Sequence, residues 1–416
     1  MIAIAYSALW IFVFTLPWER VFALPGVNII TRATGGVAMG LALLAVVISG
    51  RLRRWQGLHM AGLAFVVTTA INLLVFHSAQ RLPLKFYTFI QLFAVVWLVW
   101  ELAPSWSKLI WLLTAYVFGA YVAAIGQLLV FRHSAGDITR YTVGGDANDL
   151  AMGLALALPI AWYLAMAHRR PILKWICRGY IPVGLMGVGL TGSRGGMIVS
   201  MAALMFIPLS MTRLTPARLA MAIATLALAG SLAIAYIPDR IVERLATTTT
   251  EVQDLRVGGR FKLWVAGVKV FAVQPIWGIG TSGFKGAIEP YLGDAAQVAH
   301  SSYVSVLVEE GMVGFVCFAA MLLSVFRALW RLPRLERRFA LVEFCALGLA
   351  MAPLTWEDSK VAWFVLAALM GLAKAGEGYL RGGATQPAPA VVVRRPPRSA
   401  APLDPVGGPL RSGGRG

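Results

Sequence analysis

The chain has 416 residues, of which 58% are hydrophobic and only 13% charged, with 37 Lys and Arg against 19 Asp and Glu for a formal net charge of +18. A soluble domain carries roughly a quarter charged residues, whereas apolar stretches of about 17–25 residues, the length of a bilayer-crossing helix, recur here. Composition therefore excludes an ordinary soluble enzyme and predicts an all-α, polytopic membrane protein.

The first predicted span, 2–16, lacks a basic leading region and a small-residue cleavage site before Pro17, so it reads as a retained helix. Spans follow at about 34–50, 58–76, 86–101, 108–131, 148–167, 176–192, 196–212 and 219–237. The last three are about 302–327, 339–354 and 361–373, bringing the expectation to about twelve transmembrane helices. Cys177, Cys317 and Cys345 lie in or beside these segments and read as small hydrophobes rather than as a disulfide or metal framework.

The loops divide by charge. Arg51, Arg53, Arg54, Lys108, Arg169, Arg170, Lys174, Arg178, Arg213 and Arg218 fall on one side, together with Arg327, Arg331, Arg334, Arg337, Arg338 and the basic residues of the tail. Most acidic residues fall on the other. The positive-inside rule assigns the basic side and both termini to the cytoplasm. Net charge is thus a topology signal, and no nucleic acid is expected as a partner, because no aromatic-interleaved basic domain accompanies it.

Two segments depart from short loops. Residues 238–301 form a long outer connection within the membrane domain, 1–373, while residues 374–416, rich in Gly, Pro, Ala and Arg, read as a disordered cytoplasmic tail. In the outer connection, Gly259 to Ala272 has near-helical apolar spacing, with Phe261, Trp264, Val265, Val268 and Phe271 offering one apolar face. Gln274-Pro275 ends it and Trp277 to Gly283 is glycine-rich, so one or two helices should lie along the outer surface and cap a cavity. Gly278-Ile-Gly280-Thr-Ser-Gly283 spells a dinucleotide fingerprint, but that motif works only between a strand and a helix. A turn with close backbone approach is expected instead.

Four cationic residues stand apart from the topology signal on the outer side: Arg140, Arg194, Arg260 and His300. Arg194, in Thr191-Gly-Ser-Arg194-Gly-Gly196, sits where two spans meet with almost no loop. An arginine there either reaches lipid headgroups or lines a pocket; its Ser and Gly neighbours favour the pocket, and a guanidinium fork suits phosphate oxygens. Arg260 opens a helix against the dipole, so a partner elsewhere is expected, unless it is simply solvated. Arg140 precedes Tyr141 in a loop whose own acids could pair with it; Asp146, Asn148 and Asp149 could cap the following helix. His300, in Ala299-His300-Ser301, is either a cap or a group able to accept a proton near neutral pH. Glu309 and Glu310 need a cationic partner if they enter the membrane, and Glu310 is expected to face the arginines. No metal-type pair of carboxylates lies on an outer loop, so no metal or other cofactor is implied and arginine would have to meet phosphate charge alone.

The ordered set of Ser-Arg194-Gly-Gly, a long outer loop with Arg260, Pro275-x-x-Gly-x-Gly and Ala-His300-Ser resembles the O-antigen ligase family. In motifs the resemblance spans roughly residues 135–330; in topology it covers the whole chain except the tail. It implies a GT-C-like glycosyltransferase with a periplasmic active site in the inner membrane. Such an enzyme moves O-antigen polysaccharide from undecaprenyl diphosphate to the outer-core sugar of lipid A–core, without metal. By position, Arg194 and Arg260 would hold the donor diphosphate, with Arg140, Ser301 and Glu310 as further substrate-binding candidates, and His300 would take the acceptor's proton. An O-antigen polymerase or a protein O-oligosaccharyltransferase would use the same donor. A polymerase tends to have two comparable outer loops, and an oligosaccharyltransferase a further C-terminal region. An anion transporter would want polar or broken helices near mid-membrane and often an internal repeat; no convincing repeat is seen, and the charged residues gather at one face.

Overall fold

The computed structural model describes residues 1–19, 27–75, 82–133, 145–211 and 258–381, with positions 216 and 220 besides. Every regular element among the described residues is helical. The helices in chain order are α1 (Ile2–Thr15), α2 (Val27–Ser49), α3 (Gly57–Val75), α4 (Leu82–Leu102), α5 (Trp106–His133) and α6 (Ala147–Ala167). They continue as α7 (Pro171–Leu190), α8 (Arg194–Leu204), α9 (Phe206–Ser210), α10 (Gly258–Val273) and α11 (Phe284–Leu292). The last four are α12 (Ser302–Glu309), α13 (Gly311–Leu329), α14 (Arg334–Met351) and α15 (Lys360–Arg381).

Among the described residues six helices are long and apolar enough to cross a membrane: Ile30–Ser49, Gly57–Val75, Leu84–Leu102, Trp106–Leu129, Ala147–Ala167 and Gly311–Leu329. The expected spans at 2–16, 196–212 and 302–327 are realised as shorter or interrupted helices, and the one at 219–237 lies outside the described residues.

α6 is the hub. Its residues from Ala151 to Ala161 are buried or nearly so, and it packs against α5, α7, α8 and α14. Small residues let neighbouring backbones approach, the usual basis of helix association where lipid is as apolar as the side chains. A Cβ at Gly187 of α7 would press on Leu154 and on Ala124 of α5, and one at Gly196 of α8 would run into Ala151. Aromatic side chains fill the wider gaps: Tyr163 stacks on Phe339 at 4.3 Å and Tyr116 on Phe364 at 5.5 Å.

Three departures from the sequence expectation have local causes. The span 196–212 breaks at Met205 because Pro208 offers no amide to the carbonyl of Leu204. The span 302–327 breaks between Glu309 and Gly311, where Gly311 adopts φ +67°. The last helix runs past the expected end at 373 to Arg381, held by Lys374 and Arg331 reaching Glu377 at 2.9 and 2.5 Å. This makes the first residues of the expected tail helical; the rest of it lies outside the described residues.

Polar contacts gather at the two ends of the bundle. Arg53 and Glu101, Arg331 and Glu377, and Arg338 and the Leu209 carbonyl meet at one end of the bundle. Lys85 and Glu309, Asp149 and Trp356, and Lys360 and Glu19 meet at the other.

Candidate functional site

The turn between α7 and α8 is built by its own small residues. Gly192 takes φ +60°, and the Thr191 hydroxyl accepts the Ser193 amide at 3.2 Å. Ser193 then caps α8 by accepting the Gly196 amide at 3.1 Å, the expected use of serine at a helix start. Its hydroxyl also donates to Asn148 Oδ1 at 2.8 Å, which ties α8 to the first turn of α6. Asp146 caps α6 through the Asn148 amide at 2.6 Å, as expected. Arg194 is thereby the first residue of α8, half-buried beside the N-terminus of α6.

His300 reaches the same place from the other half of the chain. The Trp264 indole of α10 donates to the Ala299 carbonyl at 2.8 Å, so the turn of α10 that follows Arg260 is fastened next to His300. His300 itself adopts φ +46°, a left-handed conformation that costs a side-chain-bearing residue on the order of 1–3 kcal/mol and tends to persist at functional sites. Burial holds its imidazole below the ordinary pKa of histidine, the Arg260 cation pushes it lower, and the Asp146 carboxylate opposes them. The ring is thus biased toward its neutral, proton-accepting form.

Arg194 thus follows the residue that is tied to the first turn of α6, and His300 lies within electrostatic reach of both Arg260 and the α6 cap Asp146, a neighbour that sequence spacing did not connect to it. Ser301 is buried at the start of α12, and Ser302 braces that start by donating to the Leu354 carbonyl at 2.9 Å and accepting the Trp356 amide at 2.7 Å. The Trp356 indole in turn donates to Asp149 Oδ1 at 3.1 Å. Arg140 lies outside the described residues.

Glu310 is placed elsewhere than expected. It is 1% exposed, and its two carboxylate oxygens accept from the Thr281 hydroxyl and the Asn72 amide, each at 2.6 Å, not from the arginines. It belongs to a clamp around the break between α12 and α13. Glu309 receives Lys85 at 2.7 Å, supplying the cationic partner that an embedded carboxylate needs, and Lys85 also meets Glu357 at 3.0 Å. Glu309 further accepts the amides of Ser282 at 2.9 Å and Phe284 at 3.3 Å, placing an anion on the N-terminus of α11. Lys85, Asn72, Thr281 and Glu357 escaped the sequence reading. A lone asparagine inside the expected span 58–76 and a lone lysine just before the expected span 86–101 were the available signals.

The glycine-rich turn closes this clamp. Gly280 donates to the Glu309 carbonyl at 3.0 Å and Met312 to that of Pro275 at 2.8 Å, a reciprocal pairing of two irregular backbones. Gly278 has φ +72°, and a Cβ there would run into the Glu309 carbonyl. The G-x-G-x-x-G string thus follows helix α10 and serves close backbone approach. α10 differs from expectation in its face: Leu263, Ala266 and Val270 pack on Phe284, Ile288 and Val308, while Phe261, Val265 and Val268 point away, exposed. Aliphatic residues occur all around this helix, so periodicity did not select the packing side.

Among the described residues no group of three or more His, Cys, Asp or Glu side chains is arranged to hold a metal ion. Residues 181–319 match the family model described as O-Antigen ligase, a stretch that begins in α7, ends in α13 and contains Arg194, Arg260 and His300. No curated protein matches the chain.

Proposed function

With a domain of the O-antigen ligase family as the premise, we propose that this membrane protein is a glycosyltransferase. It ligates O-antigen from undecaprenyl diphosphate to the outer-core sugar of lipid A–core, on the periplasmic side of the bacterial inner membrane. The observation that carries this reading is the meeting of Arg260 and His300, close enough for the cation to depress the imidazole's pKa, beside the α6 terminus where Arg194 emerges.

The chemistry follows from charge. A diphosphate is a competent leaving group whose departure develops negative charge, and guanidinium groups fixed in advance stabilise that charge without reorganising. Arg194 and Arg260 fill this role, with Arg140 a further candidate. A sugar hydroxyl is a poor nucleophile, and a placed base contributes on the order of 10²–10⁴-fold. His300 takes the acceptor's proton while the acceptor oxygen bonds to the anomeric carbon and the bond from that carbon to the diphosphate oxygen breaks. This single displacement inverts the anomeric centre. Charge stabilisation by arginine makes a divalent metal dispensable in this reading. Glu310, held in the clamp, acts on architecture instead of substrate.

The test is transfer of glycan from a purified undecaprenyl-diphosphate donor to lipid A–core with a chelator present. Product formed by the wild-type protein supports a metal-independent ligase. Growth of the glycan on the donor lipid moves the assignment to a polymerase, transfer to a protein acceptor moves it to an oligosaccharyltransferase, and turnover of no donor contradicts the glycosyltransferase reading.

A further inference from the structure

α10 carries apolar residues on two opposite faces. One of them packs inward on α11 and α12. The other bears Phe261 and Val268, 61% and 55% exposed, with Val265 between them, and the patch continues through Val273 at the helix end, 75% exposed, to Ile276 and Trp277 beyond it. No described element covers this stripe. An apolar helix face with basic residues at its edge suits the membrane interface, and this face of α10 lies outside the core.

The borders of the stripe indicate which lipid. Lys262 and Lys269, two turns apart, line one edge, and Lys285 is exposed on α11. The Lys269 ammonium lies 5.8 Å from the centre of the Tyr291 ring, another exposed aromatic. Glu289 and Asp294 are the exposed acids of the α11 region, and α10 has none in its sequence. Lysines beside aromatic and aliphatic side chains suit the boundary between headgroups and acyl chains, where anionic lipid is attracted and long side chains reach outward.

We propose that this outer face of α10 is a docking surface for an anionic phospholipid of the adjoining leaflet. Its acyl chain lies on Phe261, Val265 and Val268, and its phosphate sits beside Lys262 and Lys269. The inference requires only a membrane protein with this face exposed, so it stands or falls apart from the glycosyl-transfer reading. A lipid seated here also steadies the helix that carries Arg260.

The test uses the full chain in phosphatidylcholine nanodiscs containing a small fraction of either phosphatidylglycerol or phosphatidylcholine with a photoreactive group on the acyl chain. Labelled peptides are located by mass spectrometry. Both probes should label residues 261–277, the phosphatidylglycerol probe in excess by about five-fold for each lysine engaged. The double variant Lys262→Gln, Lys269→Gln should lose that excess and keep the acyl labelling, with an unchanged melting midpoint. Absence of label in 261–277 would overturn the proposal. So would equal labelling by the two lipids, and so would a cross-link through this stretch to a second copy of the chain.

Discussion

Two charged clusters lie at the same end of the bundle and differ in their setting. In the clamp, both oxygens of Glu309 and both of Glu310 accept hydrogen bonds from within the protein, and Lys85 is shared between Glu309 and Glu357. Around the start of α6, Arg194, Arg260 and His300 are half-buried at element ends, and His300 holds a left-handed backbone. The loop between α14 and α15 joins the two, with Trp356 reaching Asp149 and Glu357 reaching Lys85. Charge satisfied internally fixes backbone that would otherwise be a broken span. At the start of α6 the cations stand at helix ends, and burial with the Arg260 cation favours the neutral form of the His300 imidazole. The same residue types thus do architecture in one cluster and, as proposed, chemistry in the other.

The contrast is broken most forcefully at His300. His300→Ala should lower glycan transfer on the order of 10²–10⁴-fold with the melting midpoint in detergent nearly unchanged. Arg194→Lys should also lose most transfer, because an ammonium cannot reproduce a two-pronged grip on phosphate. Substantial transfer by either variant would return these residues to an interfacial role.

The clamp should respond in the opposite sense. Lys85→Met leaves two buried carboxylates without their cation and should cost about 3–5 kcal/mol of stability, read as a large fall in the melting midpoint. Gly278→Ala must place a Cβ against the Glu309 carbonyl at positive φ and should cost about 2–4 kcal/mol, read the same way. A stable Lys85→Met protein with only its transfer impaired would move Lys85 into the reaction.

How far the sequence foretold this arrangement depends on the range of the forces involved. The spans around α3 and α6 were placed to within a residue or so, because each is an apolar run bounded by local signals such as the Asp146 cap. The break at Gly311 was illegible, because the apolar run is continuous and the break depends on backbone pairing with Pro275–Gly283. The need of Glu309 for a cation followed from its setting, but the choice of Lys85 depends on helix packing. At the site, Arg194, Arg260 and His300 stood out by context, whereas the electrostatic influence of Asp146 on His300 acts between segments far apart in the chain.

The smallest expected effect sharpens that last point. The lowered pKa keeps His300 neutral at pH values where an ordinary histidine is partly protonated, so kcat/KM should fall only as pH drops below the usual histidine range. Asn also caps helices well, so Asp146→Asn should leave α6 intact while removing the opposing charge. Its acid limb should then move to still lower pH. A limb that moves upward would contradict the coupling.

The central claim is tested most directly by measuring transfer and melting midpoint side by side for His300→Ala and Lys85→Met in the same membrane mimetic. The division of labour described here predicts a folded, inactive protein from the first and an unstable one from the second. A destabilised His300→Ala, or a stable Lys85→Met with transfer lost, would contradict it.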